Sequence, residues 1–132
     1  GVTVTGWTEQ PWLPAPSREK AAIVGPLMLD MLSRARAGGV NVAFGTDTGV
    51  SKHGDNSQEF DLMVQAGYTP EEAIRTATVV AAEHVEMPDQ VGSIEVGKFA
   101  DMVVLRRDPL EDITALRAVR VVIKDGQQYR PQ

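Results

Sequence analysis

The sequence predicts an α/β fold over about the first ninety residues and antiparallel β-structure over about the last forty. The first observation is a stretch with helical spacing of apolar residues, at residues 26–37, between β-prone runs at residues 2–8 and 40–47. A strand, a helix and a second strand form the basic unit of a parallel sheet. The second observation is that alternating β-prone segments separated by turn signals replace the helical period after Pro88.

Capping and helix-breaking residues predict the bounds of the first helix. Ser17 follows a proline-rich loop and is suited to cap a helix. Pro26 predicts a kink or a fresh helix start, because proline fits best at the first position of a helix. Gly38 and Gly39 predict the end of the helix, and the run at residues 40–47 follows directly.

Two further helices are predicted before residue 90. Asn56 and Glu59 have the spacing of a capping box, which predicts a helix over residues 57–66. The sequence Thr-Pro-Glu-Glu at residues 69–72 is a stronger start signal, with an N-cap, a first-position proline and a reciprocal Glu. The helix that begins there is expected to end near His84 or the residue after it.

The last part of the chain predicts short strands joined by turns. The strands are expected at residues 93–96, 101–105, 119–123 and 127–130. Asp125-Gly126 is a type I′ hairpin signal between the last two. We therefore divide the chain into residues 1–88, which are α/β, and residues 89–132, which are antiparallel β.

The apolar run at residues 40–47 ends in a carboxylate, Asp47, with no cationic neighbour in sequence. In parallel α/β folds the residue at the C-terminal end of a buried strand faces the active-site mouth. Asp47 is therefore a candidate metal ligand or general base, because a carboxylate there needs a cation or a proton. Thr-Asp-Thr-Gly is also good turn chemistry, so an N-cap or turn role stays open.

Composition excludes several classes of function. The chain has 132 residues, enough for one packed core, and a formal net charge of −5, which argues against a nucleic-acid partner. No apolar run approaches the roughly 20 residues that span a bilayer, so no membrane partner is expected. Cysteine is absent, which excludes disulfides and thiolate metal sites. The compartment stays open, with the cytoplasm weakly favoured.

Several motifs in fixed order resemble the C-terminal third of the metal-dependent amidohydrolase superfamily. They are Gly45-Thr46-Asp47, residues 69–74 with Ala77-Thr78, and residues 92–104. The loop at residues 52–60 and the tail at residues 108–113 are most similar to the prolidase-like and imidazolonepropionase-like branch. The resemblance covers nearly the whole chain, and the ordered set is far more specific than Gly-Thr-Asp alone.

The resemblance implies the last β/α units of a (β/α)₈ TIM-type barrel, followed by antiparallel strands of a small β-sandwich. It implies one or two divalent metals, usually zinc, and a small-molecule or dipeptide substrate. Asp47 matches the Asp that ends barrel strand eight, which is a metal ligand and the proton shuttle of hydrolysis in the family. Cleavage of a dipeptide, with C-terminal proline or another residue, is the first substrate hypothesis, and a cyclic amide of the imidazolonepropionase type is the second.

Other polar residues that follow Asp47 have weaker functional interpretations, among them those of the polar loop at residues 50–56, which we call the mouth loop. His53 is a candidate substrate-binding residue or an exposed loop histidine, and the residues do not decide between these. Lys52 and Thr48 are further candidates for substrate binding, although a solvated charge explains Lys52 as well. Asn56 and Glu59 are explained sufficiently as a helix cap.

Four residues outside the mouth loop receive structural interpretations. His84 falls late in a helix, where a cation suits the helix dipole. Asp101 is expected to fix the Gly-Lys-x-Ala-Asp turn that precedes it by bonds to the backbone. Trp7 and Trp12 flank a loop at the mouth side, where packing is preferred over substrate contact.

The departures from the family pattern predict an incomplete metal site. The family's other ligands include several histidines, whereas this chain contains only His53 and His84. We therefore expect a fragment of an enzyme that is inactive alone and is completed by a missing N-terminal part or by homo-oligomer formation. The hypothesis from a different class is a standalone, non-catalytic fragment that assembles with itself.

Overall fold

The computed structural model of the chain describes residue 6, residues 8–47 and residues 56–129. Its helices and strands follow in the order α1 (Ala15–Ala37), α2 (Gln58–Gln65), α3 (Pro70–Thr76), α4 (Val79–His84), β1 (Met102–Leu105), β2 (Val119–Lys124) and β3 (Gln127–Tyr129). A 3₁₀ turn at Ile113–Arg117 precedes β2. The mixed α/β class is therefore confirmed, with helices first and antiparallel strands last. Among the described residues, no helix is both long and apolar enough to cross a bilayer.

Helix α1 is longer and more continuous than the sequence predicts. It begins two residues before Ser17, with Pro14 at the N-cap and Pro16 in the first turn, so the expected Ser17 cap is wrong. Pro26 lies inside the helix and does not start a new one. A proline removes one backbone hydrogen bond, and here 23 residues of helix absorb that loss. The predicted stop is confirmed, because Gly38 is the C-cap.

The core lies where α1, α2 and α3 meet. Its buried members are Leu32, Met63, Ala66, Tyr68 and Ala73. Met63 of α2 is 2% exposed, and Ala73 of α3 is fully buried. On α1, Leu32 packs inward with Met28 and Leu29 beside the core, whereas Leu27 and Met31 are exposed.

The segment at residues 40–47, predicted as a strand and called the extended segment below, forms neither a helix nor a paired strand among the described residues, and it packs against this core. Val42 and Phe44 contact the core cluster, and Phe44 donates its backbone N–H to the carbonyl of Thr76 at 3.0 Å. The predicted strand is therefore wrong as a paired strand in the described part of the chain. Of the predicted strand at residues 2–8, residues 2–5 and 7 lie outside the described residues, and Thr8 lies in a short 3₁₀ turn.

Local sequence sets the start of α3, and a tertiary contact accompanies its end. Thr69 accepts from the backbone N–H of Glu72, whose carboxylate accepts from the N–H of Thr69, so the predicted capping box is confirmed. The single helix predicted to reach His84 is wrong, because it breaks between Thr76 and Val79. At this break the Thr76 carbonyl accepts from Phe44. The second helix, α4, does end at His84 as predicted.

The C-terminal strands form one antiparallel sheet in the order β1-β2-β3. Met102 pairs with Ile123, and Lys124 pairs with Gln127 across the predicted hairpin turn. Asp125 and Gly126 both have positive φ, +51° and +74°, as a type I′ turn requires. The strand predicted at residues 93–96 is wrong, because these residues form irregular chain that leads into a turn. The proposed division between residues 88 and 89 stays a prediction.

Candidate functional site

Asp47 is the last described residue of the extended segment, and its carboxylate is accessible. The residue is exposed, and it makes no hydrogen bond or ion pair to another residue of the described part of the chain. Its backbone φ is +50°, in the left-handed region. Aspartate tolerates this region better than most residues, because its short polar side chain can bond locally. The segment thus ends in an accessible carboxylate on an unusual backbone conformation.

The residue before Asp47 is tied to the start of α2. Asn56 donates a hydrogen bond from Nδ2 to the hydroxyl oxygen of Thr46 at 2.8 Å. The rings of Phe44 and Phe60 stack beside this bond, with their centroids 4.4 Å apart. Side chains on alternate residues of the extended segment therefore hold it against α2.

These contacts correct the interpretation of Asn56 and Glu59 as a capping box. The N-cap of α2 is Ser57, with helical backbone angles and no side-chain capping bond. Asn56 instead uses its amide to contact Thr46, ten residues earlier in the chain. Glu59 is 5% exposed and faces the core rather than the solvent. The link from Asn56 to Thr46 is the feature that sequence analysis missed, because no local pattern signals a contact over this separation.

A cleft of about 200 Å³ lies beside the extended segment. Its lining includes one carboxylate residue, Glu59. The other side chains that line it are apolar: Met28, Met31, Leu32, Val42, Phe44 and Met63. Asp47 is not among the lining residues. The cleft alone therefore has the character of a packing surface, and the polar chemistry lies at its end, at residues 45–47.

The described residues do not form a complete metal site by themselves. No group of three or more His, Asp or Glu side chains lies close enough together within them to hold a metal ion. The accessible carboxylate of Asp47 fits the donor chemistry of zinc, which accepts Asp oxygens. A zinc ion typically requires three or four protein ligands, so any metal at Asp47 would need donors from outside the described residues.

The other predicted site residues, Thr48, Lys52 and His53, lie outside the described residues, as does Trp7. Trp12 is 55% exposed and donates its indole N–H to the side-chain oxygen of Gln10, so the expectation that it packs is wrong.

Asp101 does fix a turn, but a different one from the turn predicted. Its carboxylate accepts from the backbone N–H of Asp125 at 2.7 Å and from Lys124 Nζ at 2.6 Å, across the β2–β3 hairpin. The Lys124 ammonium and the Asp125 N–H hold the pKa of this carboxyl below its usual value. Asp101 is therefore a structural residue of the sheet.

Comparison with known proteins places these features in a family. A model described as the amidohydrolase family matches residues 22–129. A solved structure of a Xaa-Pro dipeptidase with methionine bound in its active site superimposes with a TM-score of 0.86. It is 43% identical and covers 97% of this chain, which in turn covers 32% of that protein.

Two curated relatives are similar over shorter stretches. Adenine deaminase 2 of Bradyrhizobium diazoefficiens is 33% identical over 92 residues, which are 67% of this chain and 15% of the relative. Imidazolonepropionase of Fusobacterium nucleatum is 33% identical over 69 residues, which are 50% of this chain and 17% of the relative. The chain thus spans less than a fifth of the length of these curated relatives and about a third of the dipeptidase.

Proposed function

The chain belongs to the amidohydrolase family, and on that premise we propose that it contributes one end of the active site of a metal-dependent hydrolase that cleaves C–N bonds. The resemblance predicted from its ordered motifs is confirmed by this membership. Enzymes of the family generally use divalent metals. The observation that carries the proposal is the carboxylate of Asp47, exposed and unpaired within the described part of the chain.

We propose that Asp47 is both a metal ligand and the proton carrier of the reaction. When bound, a divalent metal, for which zinc is our first choice, supplies Lewis-acid activation of water. The carboxylate of Asp47 takes a proton from the attacking water and returns it to the departing nitrogen. The other ligands come from residues outside the described part of the chain.

A dipeptide is the best-supported substrate class. The support is the 43% identity to a Xaa-Pro dipeptidase over nearly the whole of this chain. The second candidate is a cyclic amide, supported by 33% identity to an imidazolonepropionase over half of the chain. Thr48, Lys52 and His53 are the proposed substrate contacts in either case.

We also propose a finer architecture. Residues 1–88 form the last β/α units of a TIM-type barrel, and residues 89–132 contribute strands to a β-sandwich. The extended segment at residues 40–47 supports the first part, because it packs against α1 as a barrel strand packs against a neighbouring helix. The antiparallel sheet β1-β2-β3 supports the second part.

The deciding experiment compares two aspartate variants in the longest translation product of the reading frame that encodes this chain. Metal content is measured by mass spectrometry, and hydrolysis is measured on dipeptides with and without C-terminal proline. Asp47→Asn should lower kcat by about 10²–10⁴-fold, the range typical of a lost acid–base group. Asp89→Asn is the matched control, because Asp89 is also exposed and lies in a turn beyond α4.

Two results would contradict the proposal. One is a protein that binds no divalent metal, and the other is full activity in the Asp47→Asn variant. The 132-residue chain by itself should be inactive, because Asp47 alone cannot hold zinc. Activity on cyclic amides with none on dipeptides would favour the second substrate class and leave the role of Asp47 intact.

A further inference from the structure

Two contacts join the end of the extended segment to the start of α2. The first is the hydrogen bond from Asn56 Nδ2 to Thr46 Oγ1, which is 2.8 Å long and half-buried. The second is the stacked pair of Phe44 and Phe60. The ring stack holds the two elements together by apolar contact, whereas the hydrogen bond acts on the residue that immediately precedes Asp47.

The backbone at Asp47 needs such a constraint. Its φ of +50° lies in a region that residues other than glycine, asparagine and aspartate rarely adopt. A conformation of this kind persists where the surrounding structure holds it in place. Thr46, anchored through its hydroxyl, is the neighbour that supplies this hold on one side.

We propose that Asn56 is a positioning residue for Asp47 and acts through the hydroxyl of Thr46. The inference rests on the proposed function of Asp47. Without the hydrogen bond, the stacked rings still hold the segment to α2, but Thr46 loses this restraint on the peptide that precedes Asp47. The carboxylate is then held less firmly in the orientation that the reaction needs. Misplacement of a catalytic group by about 1 Å costs on the order of 10²-fold in rate.

A purely structural role for Asn56 predicts a different outcome. If Asn56 served only to start α2, its loss would change stability and leave the orientation of Asp47 unchanged. The structure favours the positioning role, because α2 has no side-chain cap and the Asn56 amide contacts Thr46. The backbone carbonyl of Asn56 accepts from the N–H of Glu59 at 3.1 Å, and this bond survives any change of the side chain.

The test uses two variants that remove the hydrogen bond and one that keeps it. Thr46→Val replaces the hydroxyl with a methyl group of similar size, and Asn56→Ala removes the amide. Thr46→Ser keeps the hydroxyl and should therefore retain wild-type function. Asn41→Ala is the matched control for the asparagine change, because Asn41 is an exposed asparagine near the start of the same segment.

Two readouts separate positioning from stability, both in the longest translation product that contains this chain. Calorimetric titration of the metal-free protein with zinc should show about 10–100-fold weaker binding for Thr46→Val and Asn56→Ala, the range seen when groups that orient a metal ligand are removed. On dipeptides, kcat should fall by a similar factor while KM changes by less than about threefold, as expected for a lost transition-state interaction. Thr46→Ser and Asn41→Ala should match the wild type in both.

The double variant provides the final check. Because Asn56 is proposed to act through Thr46, combining Thr46→Val with Asn56→Ala should cost no more than either change alone. The inference would be overturned if the losses of the two single variants multiply in the double variant. It would also be overturned if both single variants keep the zinc affinity and kcat of the wild type. If Asp47→Asn also behaves as wild type, the proposed function fails as well. If Asp47→Asn is inactive and Thr46→Val is not, only the positioning role fails.

Discussion

The helical part of the chain and the C-terminal sheet become ordered in different ways. Helices α1, α2 and α3 share a buried core in which Met63 is 2% exposed. In the sheet no residue of β1, β2 or β3 is buried, and Val103 is 55% exposed. Its order comes from backbone pairing, the hairpin turn and the Asp101 bonds across that turn.

The comparison separates what defines a conformation from what stabilises it. A hydrogen-bond ladder sets register, but each bond contributes only about 0.5–1.5 kcal/mol net, because the unfolded chain bonds to water. Apolar burial is the dominant favourable term in folding. The helical part should therefore contribute most of the stability of the isolated chain. The sheet and the exposed apolar residues beside it should be the surface through which the chain associates with itself.

Self-association should show the largest contrast between the two regions. Ile94 and Val96, which precede the sheet, are 84% and 107% exposed, and apolar surface of this extent favours association. We expect the isolated chain to form particles of at least about twice its mass, and Ile94→Lys with Val96→Lys to shift it toward monomer. Light scattering after size-exclusion chromatography measures the mass. Val40→Lys, at an exposed apolar residue of the other region, should not change it. A monomeric wild type with cooperative unfolding would contradict this prediction.

Core truncation should separate the regions by stability. Met63→Ala removes a side chain from the centre of the helical core and should lower the free energy of unfolding by about 2–5 kcal/mol. Met102→Ala makes the same change at a half-buried position in β1 and should cost less than half as much. Urea unfolding at one fixed protein concentration measures both. Equal losses would mean that the sheet contributes to the same core.

The ion pair that links the two regions should contribute less than the core. Arg117, in the 3₁₀ turn, bonds to Asp61 of α2, whose side chain is 15% exposed. The other carboxylate oxygen of Asp61 is buried with no partner among the described residues. Arg117→Ala would leave a largely buried carboxylate unpaired and should cost about 1–3 kcal/mol.

A second arginine variant is the control for this pair. Arg107 bonds to Asp112 at 2.8 Å, but both side chains are well exposed. Arg107→Ala should therefore cost at most about 1 kcal/mol. If the two arginine variants lose the same stability in urea unfolding, the burial of Asp61 is not what distinguishes the pair that links the regions.

Acid should destabilise the β2–β3 hairpin, and this is the smallest of the four effects predicted for the two regions. The pKa of Asp101 is lowered from its usual 3.8 by Lys124 and the Asp125 N–H, so the folded hairpin holds the proton less tightly than the unfolded chain does. The resulting stability is present above about pH 3.8 and is lost as the pH falls through the lowered pKa. NMR of the Asp125 and Gly126 amides should show this transition, which Asp101→Asn should abolish and Asp89→Asn should retain.

Locally encoded features of the fold were predictable from the sequence. The capping box between Thr69 and Glu72 spans three residues, and the Asp125-Gly126 turn spans two. In both cases the residues that form the structure are neighbours in sequence, so their identities are sufficient. The same holds for the helix stop at Gly38.

Features that depend on distant contacts were not predictable. The break after Thr76 coincides with a hydrogen bond from Phe44, 32 residues earlier. Asn56 has the right spacing for a cap but contacts Thr46 instead. Pro26 resembles a helix start, yet it lies inside α1. In each case a residue with a clear local preference adopts another role within the packed structure.

The sequence by itself determined the class of the chain, its family and the candidate carboxylate, Asp47. These follow from the order of the motifs and from an apolar run that ends in an acidic residue. Each motif, like the run, consists of residues that are close together in the sequence. Only the tertiary structure decided that Asp47 is exposed on a left-handed backbone, that Asn56 holds Thr46, and that the core belongs to the helices. The physical reason is that burial and long-range hydrogen bonds depend on which distant segments meet, and no local pattern encodes that choice.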